Sequence, residues 1–125
     1  MPEEVKMDFI GFDFKAALKI CMNASIYCRM LGKFNDGMLN ELKDAVAGGS
    51  PADIQAKAHA IKGVSANLGF TDLYALSFTV EQKAKAGATV PADDADFVKL
   101  ADTYNYVLDR AKAIVADPSL INPYI

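Results

Sequence analysis

The residues best suited to chemistry lie in one short segment, Ala58-His59-Ala60-Ile61-Lys62-Gly63, which contains the only histidine of the chain. Most enzymes and metal sites that use histidine pair it with a second histidine, a cysteine or a serine. None of these is adjacent to His59. A neutral imidazole is itself a nucleophile, and Lys62 would place a positive charge about one helical turn away. The segment therefore favours a simple role for His59, in which one ring nitrogen carries an anionic group.

The composition fits one folded domain without a basic face. The chain has 125 residues, 52% of them apolar, and a formal charge of −3 with a pI near 5.0. This length can bury a sizeable core without disulfides or metal. The acidic balance argues against nucleic acid or an anionic membrane as the main partner. No apolar run has the length of a transmembrane helix, and Met1-Pro2-Glu3-Glu4 lacks the basic start of a signal peptide, so we expect a cytoplasmic protein.

The two cysteines, Cys21 and Cys28, do not indicate a disulfide or a metal site. If both lie on one helix, they are about two turns apart, which is too far for a disulfide. They also lack the C-x-x-C spacing and the nearby histidine of common metal sites. We therefore expect two buried apolar thiols and no metal or cofactor site in this chain.

Helical periodicity runs through the chain, and strand-like alternation appears nowhere over a useful length. Apolar positions three and four apart, bounded by helix start and stop residues, predict five helices. The first helix is expected over Phe14 to Cys21 after Asp13, the second over about Ser25 to Ala47, and the third over Pro51 to Leu68 after Ser50. The fourth is expected from a Thr71-Asp72 cap to just before Gly87. The fifth is expected from near Pro91, with Asp93 and Asp94 in its first turn, to Asp117. In the second helix, the glycines and Asn35 between Gly32 and Gly37 predict a kink or a break.

Short links between long amphipathic helices make neighbouring helices antiparallel. The chain is therefore expected to be all-α, an antiparallel up-and-down four-helix bundle with a short extra N-terminal helix. No linker or internal repeat divides it, so we expect one domain over residues 1–125 with a core over about residues 12–117. The C-terminal tail over residues 118–125 has no periodicity and receives no function.

Helix geometry indicates the direction of His59. A regular seam for packing against neighbouring helices is expected at Ile54, Ala58, Ile61, Ser65 and Leu68. His59 lies one residue, about 100°, away from this seam. The stripe on its own side contains Ala52, Gln55, Ala56, Lys62, Gly63, Ala66 and Phe70. Because buried faces rarely include both lysine and glutamine, we expect His59 at the edge of the core or in solvent.

The neighbours of His59 on this stripe are unusually small. Ala56, Gly63 and Ala66 bracket the ring, and a glycine inside a helix costs about 1 kcal/mol relative to alanine. Close approach by another protein would give a reason for such a glycine. The stripe therefore predicts a docking surface with a nucleophile in its middle. Helix geometry alone leaves the alternative open that His59 is an ordinary surface residue.

The segment from His59 to Gly69 closely resembles the signature of histidine-containing phosphotransfer (HPt) domains. That signature runs His, any residue, Leu or Ile, Lys, Gly, any residue, a small residue, two free positions, an apolar residue and Gly. Every specified position is met by His59-Ala60-Ile61-Lys62-Gly63-Val64-Ser65-Ala66-Asn67-Leu68-Gly69. The resemblance extends to Ala56, Ala58, Leu73, Leu76 and Glu81 and, more weakly, to Asp13, Leu18, Tyr27, Leu31 and Phe34.

The resemblance implies a four-helix bundle that is phosphorylated on an exposed nitrogen of His59. The phosphoryl group would come from a receiver-domain aspartate, or from a hybrid or sensor histidine kinase, and would pass to another receiver aspartate. Lys62 matches the lysine that steadies the phosphoryl group, and Gly63 matches the glycine that makes room for the receiver. Glu81 falls where the family often has a Glu or Gln bonded to the other ring nitrogen. Lys85 is expected to pair with Glu81 or with the phosphate.

Further expectations concern partners and cofactors. The docking surface is expected to comprise Gln55, Ala56, Gly63, Ala66 and Lys85. Magnesium would be held by the receiver, so this chain would need no cofactor. The chain has no glycine-rich phosphate loop, so we do not expect it to bind ATP on its own. We expect a monomeric phosphoryl carrier rather than an enzyme.

Three other readings of the sequence make different predictions. The dimerisation domain of a sensor kinase typically has an acidic residue after its histidine and a proline soon after, whereas Ala60 follows His59 and the next proline is Pro91. A helical adaptor derived from a phosphotransfer fold commonly loses the histidine or the Lys-Gly pair, and this chain keeps all three. A bundle that binds a metal or cofactor would need Glu-x-x-His pairs on facing helices, and one histidine cannot supply them.

Overall fold

The computed structural model describes residues 9–124, and the regular secondary structure in that range is helical. The helices are α1 (Phe14–Cys21), α2 (Ala24–Lys33), α3 (Gly37–Gly48), α4 (Pro51–Leu68), α5 (Thr71–Lys85) and α6 (Ala95–Ala116), followed by a 3-10 helix (Pro118–Tyr124). α3 packs on α4, α4 on α5, α5 on α6, and α6 on α2, which closes the ring. The α2–α3 pair thus forms one broken member of a four-helix bundle, and α1 packs outside on α2 and α4. The predicted all-α bundle with a short extra N-terminal helix is confirmed.

The break between α2 and α3 lies inside the segment where a kink or a break is predicted. The Asn35 side chain accepts a hydrogen bond from the Gly37 amide at 2.8 Å and so stabilises the turn before α3. The Tyr104 hydroxyl donates to the Asn35 carbonyl. The Phe34 ring packs against Phe70 and Tyr104 with centroid separations of 5.1 and 4.9 Å. Asn35 and the buried Phe34 therefore fix this break, whereas Gly32 lies within α2.

The seam predicted on α4 is its buried face. Ile54, Ala58, Ile61, Ser65 and Leu68 are all buried. The Ser65 hydroxyl donates to the Ile61 carbonyl at 2.7 Å, so the one polar member of the seam has its hydrogen-bond partner within the helix. Burial of a side chain such as Ile61 stabilises the fold by about 1.5–3 kcal/mol. The seam fixes the rotation of α4 and therefore the direction of His59.

α4 ends at Gly69, as predicted, in a left-handed conformation with φ +75°. The Phe70 amide then bonds back to the Ser65 carbonyl at 2.9 Å. The Gly69 carbonyl accepts from the Asp13 amide at 2.7 Å, so the segment before α1 is attached to this turn. The turn makes α5 an antiparallel neighbour of α4.

The predicted Thr71-Asp72 cap of α5 is wrong. Thr71 is the first helical residue, Phe70 precedes it, and no side chain caps this end. The Thr71 amide donates instead to the Gly11 carbonyl at 2.8 Å. The first amide of α5 is therefore satisfied by a backbone carbonyl from a distant part of the chain.

The predicted start of α6 near Pro91 is also wrong, by about one turn. α6 begins at Ala95, and Asp94 is its cap, accepting from the amides of Asp96 and Phe97. Pro91 lies in the preceding turn, where its carbonyl accepts from the Asp94 amide at 2.9 Å. Lys83 bonds to the Asp94 carboxylate at 2.9 Å and so connects α5 to the start of α6.

The C-terminal tail and the cysteines complete the fold. Ile121 in the 3-10 helix is buried, so the tail packs on the bundle. Cys21 on α1 is buried as expected, whereas Cys28 on α2 is only half-buried, and both are free. Burial raises the pKa of both thiols. Among residues 9–124 there is no helix long and apolar enough to cross a membrane.

We expect Gly69→Ala to destabilise the fold more than Gly49→Ala. Both glycines have a left-handed backbone, with φ values of +75° and +71°, and a Cβ in that conformation costs about 1–2 kcal/mol. A Cβ at position 49 meets open space, whereas one at position 69 collides with the carbonyl oxygen of Asp13. This overpacking adds about 1–3 kcal/mol. Urea unfolding followed by circular dichroism measures the difference, and equal losses in the two variants would contradict the close approach of Asp13 to Gly69.

Candidate functional site

His59 stands on the solvent side of α4. Its side chain is 67% exposed, as helix geometry predicts. Ala56, Gly63 and Ala66 are exposed on the same side of the helix, and Gln55 is half-buried at its edge. A Cβ built on Gly63 would meet no atom within 4 Å, so this part of the surface is open. The structure therefore places the predicted docking residues of α4 around His59, and Phe70, which the predicted stripe included, is buried in the core instead.

Glu81 of α5 holds the imidazole from the side of the bundle. Its Oε2 lies 2.5 Å from His59 Nδ1, and the Glu81 side chain is only 7% exposed. An ionised carboxylate can only accept a hydrogen bond, so Nδ1 carries the proton in this pair. The lone pair of the neutral ring is then on Nε2. The contact thus selects the tautomer in which the second nitrogen is the nucleophile.

The second oxygen of Glu81 binds Lys62. Lys62 Nζ lies 2.6 Å from Glu81 Oε1, and the lysine side chain is 20% exposed. The same ammonium lies 5.4 Å from the centroid of the Phe78 ring. Glu81 is therefore a bridge between the imidazole and the ammonium. Lys85 is expected to pair with Glu81 or with the phosphate, and Lys62 takes its place in the first of these pairings.

Lys85 lies at the end of α5 and is exposed. Among residues 9–124 it forms no ion pair with Glu81. α4 and α5 run antiparallel, so one turn along α5 from Glu81 to Lys85 corresponds to one turn back along α4 from His59 to Gln55. Lys85 is therefore near the edge of the predicted docking surface, away from the three bonded side chains.

The charge of Glu81 is favourable despite its burial. Burial raises the pKa of this carboxyl, but hydrogen bonds from Lys62 and His59 lower it by more, and the pKa is below its ordinary value. Glu81 is thus an anion at neutral pH. A buried anion bonded to Nδ1 stabilises any positive charge that develops on the ring.

Sequence reasoning missed Phe78. Phe78 is 45% exposed, and it lies three residues before Glu81, on the same face of α5. The spacing of Phe78 and Glu81 is visible in the sequence. Their contact with Lys62 depends on the register of α5 against α4, which periodicity within one helix does not give.

A groove between α4 and the break that joins α2 to α3 is separate from these groups. It has a volume of about 400 Å³ and is lined by Met30, Phe34, Met38, Val64 and Leu68, with Lys33, Asn35 and Asn67. None of His59, Lys62 and Glu81 lines it. Within residues 9–124, no three His, Cys, Asp or Glu side chains cluster as metal ligands. His59 lies outside the groove, and its exposed side chain can be reached by a second protein.

The chain is similar to a known protein family over most of its length. A family model described as Hpt domain matches residues 28–112, which is more than half of the chain. The matched range contains His59, Lys62, Gly63 and Glu81. The comparisons with curated proteins and with solved structures gave no significant match. The family match and the exposed histidine of α4 agree with the resemblance of the His59 segment. The chain belongs to the Hpt domain family, whose members perform histidine phosphotransfer in two-component signalling.

Proposed function

We propose that His59 accepts a phosphoryl group on Nε2 from a receiver-domain aspartate, or from a hybrid or sensor histidine kinase, and passes it to another receiver aspartate. Hpt domains are phosphocarriers rather than ATP-dependent catalysts, and their family implies interaction with receivers and histidine kinases. The observation that carries the assignment to His59 is its bond to the buried Glu81 at 2.5 Å, with the His59 side chain 67% exposed.

The transfer step follows from the tautomer. The Nε2 lone pair attacks the phosphorus of an aspartyl phosphate, so an N–P bond forms while the bond from phosphorus to the aspartate oxygen breaks. The aspartate leaves as a carboxylate. The ring keeps its proton on Nδ1 and gains a positive charge, which the Glu81 carboxylate at 2.5 Å offsets. Delivery to the next receiver runs this step in reverse.

Lys62 and the surrounding surface support the same proposal. The ammonium of Lys62, already held beside the site by Glu81, can donate to the phosphoryl oxygens, because an ammonium has three donors. Gln55, Ala56, Gly63, Ala66 and Lys85 form the proposed docking surface. The receiver would supply magnesium, so this chain would need no cofactor of its own. We propose that it is a monomeric cytoplasmic carrier.

The experiment is transfer from receiver domains charged with acetyl phosphate. We expect at least one charged receiver to label this chain, and the label to be labile in acid and stable in alkali, as a phosphoramidate is. The label should be absent in His59→Ala. ATP alone should label neither the native chain nor His59→Ala. Because His59 is 67% exposed, this substitution should leave the fold intact, as circular dichroism can verify.

Two results would contradict the proposal. An acid-stable label would indicate a hydroxyl acceptor, and a label retained in His59→Ala would place the phosphoryl group elsewhere. A stable dimer in sedimentation, combined with labelling by a kinase catalytic domain but by no receiver, would favour the dimerisation domain of a sensor kinase instead.

A further inference from the structure

Phe78 is a large aromatic residue that the core of the bundle does not explain. It is 45% exposed on α5, whereas Val80 and Leu73 of the same helix are fully buried. Its ring instead faces a charged group, since Lys62 Nζ lies 5.4 Å from the ring centroid. This distance is within the roughly 6 Å range over which an aromatic face attracts a cation. The contact lies one helical turn from the bond between His59 and Glu81.

We propose that Phe78 is a positioning residue for phosphoryl transfer, acting through Lys62. The inference rests on the proposed function of His59 and adds a residue to it. Phe78 holds the ammonium of Lys62 beside the site, so the ammonium is in place when the phosphoryl group arrives. Phe78 itself touches no reacting atom.

The physical reason is the freedom of the lysine side chain. A free lysine side chain has many rotamers, and part of this rotamer entropy is lost whenever the ammonium is fixed on an anion. In this structure two contacts fix Lys62 in advance, the bond to Glu81 at 2.6 Å and the Phe78 ring. Positioning before the reaction lowers the barrier, because the entropy is not lost during transfer.

The two contacts act differently when the phosphoryl group arrives. The bond to Glu81 uses one of the three ammonium donors, and the phosphoryl oxygens compete for the same group. The ring attracts the cation through its quadrupole and needs no particular donor. Phe78 can therefore keep Lys62 at the site while the ammonium redistributes its hydrogen bonds between Glu81 and the phosphoryl group.

The test uses potassium phosphoramidate as donor, because a small donor removes any contact between Phe78 and a receiver. The rate of His59 phosphorylation is measured for the native chain, Phe78→Leu and Phe78→Trp, and again with Lys62→Met in the native and Phe78→Leu backgrounds. We expect Phe78→Leu to slow labelling about 2- to 5-fold, the factor that a partly exposed cation–π contact corresponds to. Phe78→Trp should restore the rate. In the Lys62→Met background, Phe78→Leu should have no further effect.

A structural readout accompanies the rates. The ring current of Phe78 should shift the Lys62 ε-methylene protons upfield in the NMR spectrum of the native chain, and Phe78→Leu should abolish that shift. Phe78→Leu could slow labelling equally in the native and Lys62→Met backgrounds, or the Lys62 signal of the native chain could be unshifted. Either result would overturn the role of Phe78 and leave the proposed function of His59 standing. A native chain that no phosphoramidate and no receiver can label would overturn the proposed function instead.

Discussion

Gly63→Leu is expected to fold at least as stably as the native chain and yet to accept no measurable phosphoryl group from a receiver domain. Gly63 lies inside α4, is exposed, and has no atom within 4 Å of the position of an added Cβ. The fold therefore has room for a side chain at this position. Replacing a helical glycine with a good helix former should stabilise the chain by about 0.5–1 kcal/mol.

The loss of transfer follows from the distance that the reaction needs. The phosphorus and His59 Nε2 must approach to about 3–3.5 Å, and an error of about 1 Å can cost 100-fold in rate. Gly63 lies one turn from His59 on the same side of α4, so a leucine there would project into the space that the receiver must occupy. We therefore expect transfer to fall at least about 100-fold, below detection in a standard labelling assay.

Two controls separate this effect from damage to the fold or to His59. Gly32→Leu makes the same change at an exposed helical glycine of α2, where an added Cβ also meets open space, and it should transfer normally. Phosphoramidate, which is too small to meet the leucine, should still label Gly63→Leu at close to the native rate. Normal transfer from a receiver to Gly63→Leu would contradict the docking surface around His59.

The sequence predicted those parts of the site that depend on one helix. The seam at Ile61 and Leu68 and the exposure of His59 follow from the helical period, and Gly69 as the end of α4 follows from the left-handed conformation that glycine adopts easily. Each of these features involves residues within a few turns of one another. Local spacing is therefore sufficient to predict them.

Features that depend on contacts between distant segments were predicted poorly. The start of α5 is set by the bond from the Thr71 amide to Gly11, 60 residues earlier in the chain and invisible to local spacing. The ion pair of Lys62 with Glu81 and the contact with Phe78 require the register between α4 and α5. Glu81 itself was identified only through the family resemblance, since no periodicity distinguishes it from other glutamates.

Glu81→Ala is expected to slow phosphoryl transfer to His59 by about 10- to 100-fold, and Glu81→Gln by less. A hydrogen bond to a charged group contributes about 1.5–3 kcal/mol, which corresponds to this range of rates if the bond strengthens as the ring becomes positive. Glutamine keeps an oxygen that can accept from Nδ1 but removes the negative charge, whereas alanine removes both. The two variants therefore separate orientation of the ring from stabilisation of its charge.

The pH dependence of stability gives an independent check on the same carboxylate. The pKa of Glu81 is lowered in the folded chain, so its contribution to the free energy of unfolding is present above the ordinary value of 4.5. It is lost as the pH falls through the lowered pKa. The difference in unfolding free energy between the native chain and Glu81→Gln should therefore be largest near neutral pH and shrink in acid.

The matched control for Glu81 is Glu41→Ala, which removes an exposed glutamate that pairs with Lys57 at 3.5 Å and is 58% exposed. Exposed pairs of this kind contribute about 0–1 kcal/mol, so neither stability nor transfer should change appreciably. If Glu81→Ala transferred as fast as Glu41→Ala, the carboxylate would have no part in the reaction. Its bond to Nδ1 would then serve only to pack α5 against α4. We expect the rate to fall in Glu81→Ala and to recover partly in Glu81→Gln. This result would show that Glu81 orients the imidazole and stabilises its positive charge.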